Sequence, residues 1–118
     1  MTTIVSQMMR ASGSLAPEEV RKALADKDAG QRLIGYAALY EHPNPGLLDD
    51  LVTSVTSIED KPFGQYWGIL AVGAVIGKGD QNQTRLPLTK KLEDFFGRLE
   101  PGTDRYYELS RILRALAS

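Results

Sequence analysis

Cysteine is absent from the 118 residues, which excludes disulfides, thiolate metal ligands and thiol nucleophiles together. A chain without thiols also fits a reducing compartment, so a cytoplasmic location is expected. Histidine occurs once, at His42, between Glu41 and Pro43, where a polar or cationic ring suits the carboxy terminus of a helix. A Ser-His-Asp triad would have to join it to a distant serine, and no Gly-x-Ser-x-Gly turn presents one. Long apolar runs are missing as well: the longest, residues 63–77, contains Gln65 and is shorter than the ~20 residues that span a bilayer. Near the amino terminus the only basic residue, Arg10, follows the apolar ones, which is not the order of a signal peptide. No membrane contact is expected. Nor does charge of one sign dominate, since 14 Lys and Arg against 15 Asp and Glu leave a formal net charge of −1. That balance gives no general attraction to nucleic acid, which is not expected as a partner.

What the chain does have is helical periodicity, interrupted at regular intervals by prolines, glycines and capping residues. Pro17 with Glu18 and Glu19 suits a helix start, with Ser14 as a candidate cap, and the helix runs to about Asp26. Asp28 caps a second helix with Leu33, Tyr36, Ala37 and Tyr40 on one stripe, and Pro43 and Pro45 stop it. Leu48, Leu51, Val52 and Val55 predict a third helix, although the β-branched residues over 52–58 leave its end open between helix and strand. Pro62 starts a fourth, with Trp67, Leu70, Ala71 and Ala74 in phase, and Gly77 or Gly79 ends it before a polar loop to Thr84. Leu88, Leu92, Phe95, Phe96 and Leu99 mark a fifth, Pro101-Gly102 a turn, and Thr103 or Asp104 the cap of a sixth that carries Tyr106, Leu109, Ser110 and Leu113. Residues 14–118 therefore read as a single all-helical domain. Residues 1–13 read as a tail or an additional helix through Ile4, Met8 and Met9.

The helices echo one another. Gly30-Gln31 and Gly64-Gln65 stand thirty-four residues apart, each opening an Ala-rich apolar stretch. A large residue followed four later by a small one recurs as Leu33/Ala37, Trp67/Ala71 and Tyr106/Ser110, and the small member allows a partner helix to approach closely. In this pattern the chain resembles HEAT or armadillo-like α-solenoid repeats. The resemblance implies three antiparallel helical hairpins stacked in a short right-handed α-solenoid, with a non-enzymatic role in protein-protein interaction. A regular Asp/Arg ladder of the kind HEAT repeats often carry is not seen. The alternatives are a small helical adaptor domain of a bacterial signalling or defence system, or a small-ligand-binding helical bundle.

Residues that could carry chemistry are few. Asp49-Asp50 and Glu59-Asp60 are neighbouring carboxylates on different helix sides and read as surface charge; no metal spacing such as Glu-x-x-His occurs. AVIGKGD has three residues between Gly73 and Gly77 where a P-loop has four, and Gly79 in place of Ser or Thr, so it reads as a helix stop. No catalytic residue and no cofactor are expected. The densest cluster of unusual residues is Lys61 to Gly68, in which Phe63 and Trp67 are expected in the core and Tyr66 at the surface. Tyr66 beside Gln65 and Arg32, with Gln31 and Tyr107 at comparable places on their helices, forms the candidate contact set for a protein or peptide partner.

Overall fold

The computed structural model describes residues 15–78 and 85–117, and these form helices and turns with no strand. The candidate cap Ser14, the segment 1–13 and the loop to Thr84 lie outside the described residues. Helix α1 is Pro17–Leu24, α2 is Ala29–Glu41, α3 is Leu48–Thr53, α4 is Pro62–Lys78, α5 is Arg85–Phe96 and α6 is Asp104–Ala117.

Each start has a local cause. The Glu19 carboxylate accepts the Ala16 N–H at 3.1 Å ahead of Pro17, Asp28 accepts Gly30 N–H at 2.8 Å, and Thr103 Oγ1 accepts Tyr106 N–H at 3.2 Å. A 3-10 turn over Pro45–Leu47 leads into α3. The segment open between helix and strand is helical, but not regularly so: α3 ends at Thr53 and widens into a π turn over Ser54–Ile58. There the Thr56 hydroxyl donates to the Val52 carbonyl at 2.7 Å, a side-chain bond that competes with regular helix, and β-branched neighbours already disfavour the tight turn. At Gly102, φ is +93°, which turns the chain into α6. Helix α4 ends at Lys78, one residue past Gly77, which lies in its last turn.

Helix α4 is the centre of the molecule. It packs against α2 on one side and α6 on the other, while α1 lies on α2, α3 on α4, and α5 on α6; α3 also touches both α1 and α5. Arg32 stands by Asp60 and Tyr40 by Trp67, and further along Gln65 meets Arg105 and Gly73 meets Ile112. Contacts thus advance together along α2, α4 and α6, so these three helices run in the same direction. Tyr36, Leu39, Leu51, Val55, Ile69 and Leu109 are among the fully buried core residues, each contributing roughly 1.5–3 kcal/mol of apolar burial. Ala37 and Ala71, small members of the first two repeated pairs, are wholly buried, whereas Ser110 of the third is half-buried. Tyr40, by contrast, turns outward although it continues the α2 stripe, and is 41% exposed.

Candidate functional site

Two polar or aromatic constellations stand out, one sealed and one open. The sealed one is built on Arg32. Its Nε and Nη2 donate to the two oxygens of Glu59, each at 3.0 Å, and Nη1 donates to the carbonyls of Asp26 and Lys27 at 2.9 Å. Glu59 also accepts the Tyr36 hydroxyl at 3.1 Å and the Lys61 N–H at 3.1 Å; Ser54 Oγ sits 2.9 Å from the Tyr36 hydroxyl and donates to the Leu24 carbonyl at 2.6 Å. Both charged side chains are almost wholly buried, at 4% and 0% exposure, and the fork geometry of guanidinium on carboxylate satisfies them. Hydrogen bonding to Glu59 raises the Arg32 pKa, and burial raises that of Tyr36. Gly64 leaves the room for the carboxylate, since a Cβ there would stand 2.5 Å from Glu59 Oε1.

Two expectations are corrected by this network. Glu59 is no surface carboxylate but the buried partner of Arg32, and Arg32 is no contact on an exposed patch, because its guanidinium is enclosed. The cause is tertiary pairing across 27 residues of sequence, which no local pattern announces.

The open constellation runs along α4. This helix is apolar on nearly every face, with Gln65 and Lys78 as its only strongly polar side chains, which is the composition of a helix enclosed on all sides. Yet Tyr66, Trp67, Leu70 and Ala74 are only half-buried and Gly77 is exposed. Leu70, Gly73, Ala74 and Gly77 of this helix, Tyr40, and Glu108, Arg111 and Ile112 of α6 line a groove of about 300 Å³. At its head, the Tyr40 and Tyr66 rings each meet Trp67 nearly at right angles, with centroids 5.7 and 5.9 Å away. Burial, then the nearby Glu108 and Asp104 carboxylates, raise the pKa of Tyr66. Glu108 is paired with Arg111 at 2.5 Å. A second hollow, about 310 Å³, lies between Val20, Leu39 and Leu47 near Leu15.

The expected contact residues fall in different places. Tyr66 belongs to the open strip, and Gln65 stands next to it with Oε1 accepting from Arg105 Nη1 at 2.6 Å. Tyr107, 64% exposed, stands on α6 with its ring against Tyr106. Gln31 is exposed on α2. Trp67 and Phe63, expected in the core, are half-buried and pack against it. Tyr40, Leu70, Asp104 and Glu108 were not anticipated; the scarcity of polar residues along α4 is the signal that leads to the groove.

Among the described residues no group of His, Asp and Glu is placed to hold a metal ion, and no helix is long and apolar enough to cross a membrane. No protein-family model, curated protein or solved structure matches the chain.

Proposed function

We propose that the chain is a non-enzymatic protein-interaction module: three helix pairs stacked as a short α-solenoid of the HEAT-like kind, using the face of its central second helix to hold a partner. The pairing of α1 with α2, α3 with α4 and α5 with α6, and the common direction of α2, α4 and α6, support the stacked reading. The observation that carries the binding role is the apolar strip from Trp67 to Gly77. A helix with no polar outer face gains nothing from water along that strip, so covering it with another apolar surface is favourable.

Gly77→Glu tests the reading, because the glycine faces open space and accepts a side chain without disturbing the fold. In crosslinked capture from cell extract, the native chain is expected to enrich a protein that the variant does not, with the melting temperature of the two nearly equal. Identical capture by both chains, or capture by neither, overturns the assignment of the strip.

A further inference from the structure

The hollow of about 310 Å³ lies where the chain enters the described domain. Its walls are the start of α1, the end of α2 and the turn over residues 43–47, and among the described residues its lining is apolar apart from His42 and Asn44. Asn44 Oδ1 already accepts the Gly46 N–H at 2.9 Å, and the His42 backbone N–H is bonded to the Ala38 carbonyl at 2.8 Å. The floor is hydrocarbon, from Val20, Leu39 and Leu47, with proline rings at the rim. Such a recess suits an apolar occupant.

Leu15 is itself part of the lining, half-buried and packed against the core, so the residues before it start at the edge of the hollow. Ala16, ahead of Pro17, is extended at φ −72° and ψ 154°, and the chain therefore leaves the α1 axis there. Upstream, Ala11-Ser12-Gly13-Ser14 is a run of small, turn-forming residues, and beyond it the sequence carries Ile4, Val5, Met8 and Met9. That spacing sets all four on one face at helical periodicity. From Met9 to Leu15 is six steps along the chain, ~9 Å at helical rise and ~20 Å fully extended, enough to turn back over the recess. A tether this short holds a side chain at an effective concentration on the order of millimolar, so contacts too weak to retain a free peptide are sufficient. Methionine, unbranched and polarisable, fills irregular apolar sites of this kind.

We propose that the chain's own residues 4–9 cover this hollow, with the Met8-Met9 pair supplying the side chain that rests against Val20, Leu39 and Leu47. The segment then acts as an intramolecular ligand of the first helix pair, and this end of the domain offers no apolar recess to a partner. The proposal is independent of the role assigned to the α4 strip.

The test is methyl NMR on the full chain, labelled at the methionine ε-methyls and at the valine, leucine and isoleucine methyls. Through-space contacts are expected from the Met8 or Met9 ε-methyl to Val20, Leu39 or Leu47. In the double variant Met8→Ser, Met9→Ser the Val20 and Leu39 resonances are expected to shift, while those of Leu109, fully buried on α6, stay in place and show that the fold is intact. Absence of any contact from either methionine to these residues, or unchanged Val20 and Leu39 resonances in the double variant, overturns the proposal. Contacts made instead to Leu70 or Ile112 in the α4–α6 groove overturn it as well.

Discussion

Val55 rests on the bare backbone of Gly68, with the Tyr36 ring closing the site from the other side. A methyl group at residue 68 would lie 3.5 Å from Tyr36 and would collide with Val55 Cγ2. This contact joins the π turn to the middle of α4 and sets how closely the two segments pack. Gly68→Ala is therefore expected to lose about 1–3 kcal/mol of stability through overpacking, and Val55→Ala in the same chain to recover part of it. Denaturant unfolding of the two single variants and the pair measures the coupling. Strict additivity would show that the two residues are not in contact.

Removing one partner of the Arg32–Glu59 pair leaves the other charge enclosed. Arg32→Ala should cost about 3–5 kcal/mol. Arg32→Lys keeps the charge but cannot serve two carboxylate oxygens and two carbonyls at once, so an intermediate loss is expected. Replacing both, as Arg32→Met with Glu59→Gln, removes the unpaired charge and should restore part of the stability lost in Arg32→Ala. Equilibrium unfolding in urea reports all three.

Tyr36 makes stability depend on alkaline pH. Its native pKa lies above the ordinary value of 10.0, because burial disfavours the phenolate. Below pH 10 both states hold the proton and stability is constant; above it the unfolded chain loses the proton while the native chain keeps it, so stability falls as pH rises. Tyr36→Phe should flatten that limb of the profile. Ultraviolet titration near 295 nm is expected to show this tyrosine ionising only with unfolding.

Two glycines should respond with opposite signs. Gly77 is helical and meets nothing within 4 Å, so Gly77→Ala is expected to stabilise by about 0.5–1 kcal/mol. Gly102 holds φ at +93°, and Gly102→Ala is expected to destabilise by about 1–2 kcal/mol although it also meets nothing. Thermal melts of the two variants distinguish backbone cost from crowding.

The helices were legible because their causes are local. Asp28, Pro62 and Thr103 announce starts within a few residues of themselves, and the stripes of α2 and α5 follow from spacing alone, whereas in α4 the in-phase residues Trp67, Leu70 and Ala74 fall on the half-buried side and the core takes Ile69, Val72 and Val75 instead. What was not legible depends on partners distant in sequence. Glu59 beside Asp60 reads as surface charge until Arg32 is brought to it, and Arg32 between Gln31 and Leu33 reads as an outer residue for the same reason. The π turn escaped because a β-branched run lowers helix preference without saying what replaces it. Of the candidate contacts, Tyr66 was found through its aromatic company, whereas Tyr40 was assigned to a stripe whose last position α6 and α4 leave uncovered.

The anchoring of Arg32 also makes the chain unequal from end to end. One guanidinium fastens the loop carbonyls of Asp26 and Lys27 and, across the molecule, Glu59 at the entry to α4. The polar links of the carboxy-terminal pair inward are single and half-exposed or exposed: Arg98 to the Thr56 carbonyl, Lys91 to the Thr53 hydroxyl and Arg105 to Gln65. Backbone amides of α6 should accordingly exchange with solvent before those of α2 and α4, through an opening that swings the last pair away while the first two stay closed. Because the groove lies between α4 and α6, an occupant would bridge the fast-exchanging part to the slow one, and slowed exchange in α6 would be its signature.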